Sequence, residues 1–329
     1  MPVRQHPLPR HHAGSEAVTT LAAGRAHGTD GAAVAAATVD AALHASAPMT
    51  SATWDTAALE RVLGGIEPAL QVRVTAETGS TNTDLLDLAR ADAPGLARPR
   101  LLVAEQQVQG RGRQGRVWQS ARGASLTFSL ALPLAPRDWS GLSLAVGVAL
   151  AEALEPADPA RPARVGLKWP NDLWLRDAAP ATAPGRKLGG VLIETVACAG
   201  ERVCVVGVGL NLLPQPVTQL GSGFACLHEL EPGIASGPLA LARMAPALLR
   251  ALRHFERDGL EPFAARYAAR DVLRGRPVRT TLAALPGGRA EGVDASGALR
   301  VRDAQDALHL VHAGDVSIRL ETDLAGREG

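Results

Sequence analysis

The run Gly110-Arg111-Gly112-Arg113-Gln114-Gly115-Arg116-Val117-Trp118 constrains this chain more than any other feature. Three glycines keep the backbone open where three arginines crowd together, so guanidinium groups and backbone amides can converge on one anion. A Gly/Arg segment in isolation reads equally well as a disordered RNA-binding tract. Here it lies between two strand-like runs of a globular region and is not extended by further Arg-Gly pairs. That context makes it an ordered or ligand-ordered loop that handles phosphate or carboxylate.

The flanking pattern predicts the fold. Strand-like runs occur at 71–75, 100–105, 125–132, 165–175, 191–196 and 203–210, and helical spacing of apolar residues occurs at 81–90, 142–154, 239–257 and 262–269. Together they predict an α+β fold, a mixed β-sheet with helices. Beyond Asp271, short runs at 278–281, 298–301, 308–311 and 316–320 are separated by Gly-containing turns and predict a small β-barrel. The expected domains are a catalytic domain at 53–270 and a small C-terminal domain at 271–322, with a short tail at 323–329. Residues 1–52 are rich in Ala, Thr, His, Gly and Pro and read as a disordered tail, because they carry too little large apolar surface to offset the entropy of ordering.

Bulk properties exclude several classes. With 34 basic against 33 acidic residues the formal charge is +1, which argues against wholesale nucleic-acid binding and makes the arginine loop a local feature. Three cysteines, Cys198, Cys204 and Cys226, form neither a Cys-x-x-Cys pair nor an even set, so no disulfide framework or zinc site is expected. No apolar run is long enough to span a bilayer, and the expected location is the cytoplasm.

Three further motifs follow the loop. In Lys168-Trp169-Pro170-Asn171-Asp172 the proline removes a ladder donor, so the strand breaks where Asn171 and Asp172 project. A plain Pro-Asn-Asp turn is the common alternative, and the Lys168-Trp169 pair, a cation beside a stacking surface, favours a ligand-facing strand end. Lys187 precedes Gly189-Gly190, which let a ligand approach the backbone, and Gly207-Val208-Gly209-Leu210-Asn211 ends the last strand of the set. Upstream, Ser80-Thr81-Asn82 stands at a helix start, where a polar side chain caps the first turn.

In this order the motifs resemble those of bacterial biotin protein ligases, across residues 71–320. The resemblance implies a catalytic domain related to class II aminoacyl-tRNA synthetases and an SH3-like C-terminal domain. It implies an enzyme that joins biotin to ATP as biotinyl-5′-AMP and passes the biotinyl group to a lysine of the biotin carboxyl carrier protein of acetyl-CoA carboxylase. ATP and Mg²⁺ would be needed, with no tightly bound prosthetic group and no dedicated metal site, the Mg²⁺ arriving with ATP near Asp172. Biotin would meet Ser80, Thr81, Asn82, Gln107, Arg111, Gly112, Arg113, Lys187 and Gly190. The nucleotide would meet Arg116, Trp118, Asn171, Asp172, Asn211 and Phe224, and Lys187, Arg113, Arg116 and Asp172 would carry the chemistry.

Some family members add an N-terminal DNA-binding domain, for which the tail at 1–52 lacks a core, so no DNA partner is expected. No membrane partner is expected either, and a homodimer is compatible with the sequence. Two other readings stand beside the ligase: a lipoate or octanoate ligase or transferase of the same superfamily, and a non-catalytic biotinyl-adenylate-binding regulator. The arginine loop is expected to be mobile without ligand, because repelling guanidiniums disfavour a closed, empty loop.

Overall fold

A computed structural model describes residues 54–91, 98–177, 185–198, 200–216, 222–314 and 318–320. The tail read at 1–52, the short tail at 323–329 and most of the 176–186 loop lie outside the described residues. The chain opens with α1 (Thr56–Gly64), capped by the Asp55 carboxylate, which accepts from the Ala58 N–H at 2.8 Å. Then come β1 (Gln71–Thr78), α2 (Thr81–Ala91), β2 (Arg100–Gln107), β3 (Ser125–Pro133) and α3 (Leu142–Leu154). They are followed by β4 (Val165–Lys168), β5 (Asp172–Leu175), β6 (Arg186–Cys198) and β7 (Glu201–Asn211).

These strands form one seven-stranded sheet in the order β1-β2-β3-β7-β6-β5-β4. Only β1 and β2 run parallel; every other pair is antiparallel. The sheet is covered on both faces, as alternation along β2 shows: Leu101 and Val103 join the main core, whereas Leu102 packs with Leu85, Leu86 and Ala89 of α2. Helix α3 is buried nearly all round, against a long α5 (Gly237–Asp258) and α6 (Glu261–Arg270). The four-residue α4 (Leu227–Leu230) precedes them.

The strand-like span 165–175 is a tight hairpin rather than one strand, with β4 and β5 paired from Val165↔Leu175 to Lys168↔Asp172. Pro170, joined to Trp169 by a cis bond, sits at its turn, where the missing amide donor costs no ladder bond. Strand β6 begins at Arg186, five residues before the expected 191, so Lys187 belongs to a strand and not to a loop end.

The C-terminal part is a five-stranded antiparallel sheet in the order β11-β10-β9-β8-β12. Its strands are β8 (Pro277–Leu282), β9 (Leu285–Val293), β10 (Leu299–Arg302), β11 (Leu308–Val311) and β12 (Ile318–Leu320). Strand β9 escapes sequence reading because its three glycines, Gly287, Gly288 and Gly292, dilute the β-pattern; a Cβ at Gly288 would overlap Arg302 O. The two sheets are joined through Trp169, whose Nε1 donates to Gly297 O at 3.0 Å.

Asp271 marks the join in sequence. Its Oδ1 accepts from the Leu273 N–H at 2.8 Å, while Oδ2 is buried with no partner among the described residues. Burial pushes this carboxyl up to about 6 from the ordinary 3.8. The folded chain therefore binds the Asp271 proton more tightly than the unfolded chain. The associated stability is full below about pH 4 and is lost as pH rises through about 6, a swing of about 3 kcal/mol. Asp271→Asn should thus gain on the wild type by up to that amount between pH 4 and pH 7 in denaturant melts; a constant difference across that range would contradict the assignment.

Candidate active site

Strand register assembles the site. Asp172 starts β5 opposite Gly190 of β6, and Gly190 lies opposite Gly209 of β7. A bulge between Leu173 and Trp174 then offsets Lys187, whose Nζ turns back to Asp172 Oδ1 at 2.8 Å. Gly190 leaves room for this pair: a Cβ there would lie 3.2 Å from Asp172 Oδ1 and 3.5 Å from Lys187 Nζ.

One cavity of about 460 Å³ opens over these strands. Its lining includes Ser80, Thr81, Asn82, Gln107, Arg111, Gly112, Arg113, Arg116, Trp118, Asn171, Asp172, Lys187, Gly190 and Asn211. Of the residues expected to meet biotin or the nucleotide, Phe224 is the exception. It is half-buried and does not line the cavity; its backbone instead bridges to Lys187, and its carbonyl accepts from Arg186 Nη1 at 2.8 Å. The structure does not bring Phe224 to the cavity with the other residues expected to meet the nucleotide.

One wall is a chain of buried polar groups at the start of α2. The Thr81 N–H donates to Gln107 Oε1 at 2.7 Å, and the Thr81 and Ser129 hydroxyls lie 2.6 Å apart. Ser129 Oγ donates to Asn82 Oδ1 at 2.6 Å, and Asn82 Nδ2 donates to Leu192 O and Glu194 Oε2 at 3.2 and 2.9 Å. With its oxygen tied to the helix start, Gln107 keeps its amide N–H groups as donors. The glycines of β7 make room for this wall and its roof: a Cβ at Gly207 would overlap Asn82, and one at Gly209 would overlap the Trp118 indole.

The arginine loop is folded on itself. Arg111 and Val117 form an antiparallel bridge, Gly112 N–H donates to Arg116 O at 2.7 Å, and Gln114 and Gly115 turn the chain at φ 57° and 69°. Internal acceptors offset the guanidinium repulsion. Arg111 pairs with Glu194, Arg113 Nη2 donates to Gly314 O at 2.6 Å, and Arg116 Nη2 donates to Gln114 Oε1 at 3.4 Å.

Several side chains do work beyond that expected. Trp169, 2% exposed, lines the cavity beside Lys168 and also ties the C-terminal sheet through its Nε1 bond to Gly297 O. Lys168 lies over the Trp174 ring, 4.6 Å from its centroid. Asn211 Nδ2 donates to Ala225 O and Lys187 O, and Asn171 Nδ2 to Val191 O, so both amides brace the backbone and keep Oδ1 as their acceptor.

Sequence reasoning missed Ile318 and Arg319, which line the cavity from β12, and Ser129 and Glu194, which complete the polar wall. Nothing local marks the first two. Ser129 and Glu194 carry the one available signal, a polar residue inside an apolar strand pattern.

Comparison with known proteins places this geometry. Residues 74–211 match the biotin/lipoate A/B protein ligase family, and residues 275–319 match the biotin protein ligase C-terminal domain. The chain is 34% identical over 277 residues to a biotin–[acetyl-CoA-carboxylase] ligase of Mycobacterium tuberculosis, covering 78% of this chain and 92% of that protein. It is 33% identical over 268 residues to the bifunctional ligase/repressor BirA of Escherichia coli, covering 79% of this chain and 77% of the relative. In fold it resembles the biotin protein ligase of Aquifex aeolicus solved with biotin and ATP, at a TM-score of 0.61 and 24% identity. That match covers 76% of this chain and 99% of the other. No helix among the described residues is long and apolar enough to cross a membrane.

Proposed function

We propose, from the premise that the chain belongs to the biotin/lipoate A/B protein ligase family, that it is a biotin protein ligase acting on a biotin carboxyl carrier domain of acetyl-CoA carboxylase. The observation that carries this reading is the convergence of Arg111, Arg113, Arg116 and Lys187 on a cavity that also presents the Ser80-Thr81-Gln107 wall. A ureido head group offers both donors and an acceptor, which hydroxyl and amide side chains match. The C-terminal domain match favours biotin over lipoate or octanoate.

In the first step a carboxylate oxygen of biotin attacks the α-phosphorus of ATP. The bond from that phosphorus to the bridging oxygen breaks, and pyrophosphate leaves. The carboxylate is already ionised near neutral pH, so the site needs no base here, only cations between two anions. Lys187 and the arginine loop supply them. In the second step the carrier lysine nitrogen attacks the biotinyl carbonyl, the bond to AMP breaks, and the amine gives up a proton. Asp172 is the acidic side chain among the described lining residues and the candidate acceptor.

Mg²⁺ fits this donor set as a companion of the phosphates. No three His, Cys, Asp or Glu side chains converge among the described residues, and the Asp172 carboxylate is engaged with Lys187. Asp172 and the Oδ1 atoms of Asn171 and Asn211 are hard oxygen donors of the kind Mg²⁺ accepts, and when bound the ion would neutralise phosphate charge.

The test is exchange of labelled pyrophosphate into ATP by the purified chain with Mg²⁺. Exchange should require biotin and fail with lipoate or octanoate. Exchange driven by lipoate would move the chain to the other branch of the family, and no exchange with any of the three acids would leave adenylate binding without catalysis.

A further inference from the structure

Glu194 joins two parts of the site that the sequence treats separately. It stands on β6 two residues beyond Leu192, on the same face, because side chains alternate along a strand. Leu192 lines the cavity and Glu194 lies just outside the lining. The carboxylate accepts from Asn82 Nδ2 at 2.9 Å and from Arg111 Nη2 at 3.1 and 3.2 Å on its two oxygens. The Asn82 amide is itself fixed by Ser129 and Leu192, so Glu194 is a held carboxylate and not a freely rotating surface group. Arg111 has no other partner than Glu194 among the described residues, and its Nε and Nη1 keep their protons for a second acceptor.

We propose that Glu194 is a positioning residue that acts as the internal counter-anion of Arg111 and sets how strongly the site takes a carboxylate-bearing substrate. The inference rests on the ligase reading above. Without ligand, the Glu194 charge holds Arg111 against the polar wall and offsets the repulsion among the loop guanidiniums. A substrate carboxylate arriving at Arg111 meets a cation already half-neutralised and must share it with Glu194 or displace it. The pair is partly exposed, at 45% for Arg111 and 27% for Glu194, so its worth is that of a screened ion pair. Neutral parts of the substrate do not feel this competition.

Glu194→Gln keeps the shape and an acceptor for Asn82 Nδ2 while removing the charge. Calorimetric titration should show biotin binding about three- to fivefold tighter in this variant, and biotin amide, which lacks the charge, binding as in the wild type. In an Arg111→Ala background the same substitution should leave biotin affinity unchanged, since the cation over which the two carboxylates compete is gone. Equal changes for biotin and biotin amide would mean that Glu194 acts only through the packing of Asn82, and this would overturn the inference. Unchanged or weaker biotin binding by Glu194→Gln would overturn it as well. A wild-type chain that fails to bind biotin would instead overturn the ligase reading and this inference with it.

Discussion

Lys187→Ala is expected to lower biotin-dependent pyrophosphate exchange by about 10²- to 10³-fold, or about 3 to 4 kcal/mol of transition-state stabilisation. The size of the effect follows from position. Lys187 Nζ is held at 2.8 Å from Asp172 Oδ1 at the cavity wall, on a strand braced on both sides. Its own backbone is fixed by Asn211 Nδ2 to its carbonyl and by the bridge to Phe224. Such a cation needs little reorganisation when charge develops on the α-phosphate. Removing it would also leave the Asp172 carboxylate facing the nucleotide without its counterion, which adds repulsion to the lost attraction. Biotin affinity should fall much less than turnover, because the head-group wall around Thr81 and Gln107 does not involve Lys187. A variant with normal exchange would remove Lys187 from the adenylating step.

Asp172→Asn should separate the two half-reactions. The acceptor lysine has an ordinary pKa near 10.4, so only about one molecule in 2,500 is unprotonated at pH 7, and a positioned base is worth about 10²- to 10⁴-fold. Asparagine retains an oxygen that can accept from Lys187 Nζ but cannot take up a proton. Transfer of a preformed biotinyl-adenylate to the carrier domain should therefore slow by about 10²-fold or more, while pyrophosphate exchange should change by less than about tenfold. Single-turnover transfer and steady-state exchange on the same preparation make the comparison. Equal losses in both would assign Asp172 to holding Lys187 or the nucleotide and would end its role as base.

The loop shows both how much of the site is legible in one dimension and where legibility stops. Its arginines and glycines announce an anion site, because charge and backbone permissiveness are properties of the residues themselves. Two of their resting partners are not local. Glu194 stands 83 residues from Arg111, and Gly314 stands 201 residues from Arg113. Composition alone pointed to a repelling, mobile loop, whereas these distant acceptors act together with the loop's own bridge and the Arg116–Gln114 bond in the folded one. Trp169 shows the same limit. A tryptophan beside a lysine marks a ligand-facing strand end, and both line the cavity, but the tie that the Trp169 N–H makes to Gly297 O in the C-terminal sheet could not be read locally.

Alternation and turn chemistry, carried by neighbours along the chain, marked most strands, the break at Pro170 and the helix start at Ser80. Local chemistry also singled out the arginine loop, Ser80-Thr81-Asn82, Asn171, Asp172, Gly190 and Asn211 among the cavity-lining residues, whereas Gln107 came only with the family resemblance. Tertiary structure alone decided which strands lie side by side, and with that the Asp172–Lys187 pair, the glycine cradles for Asn82 and Trp118, and the place of Ile318 and Arg319 at the cavity. Strand order and side-chain approach depend on packing between segments far apart in sequence, whose free energy no single segment holds.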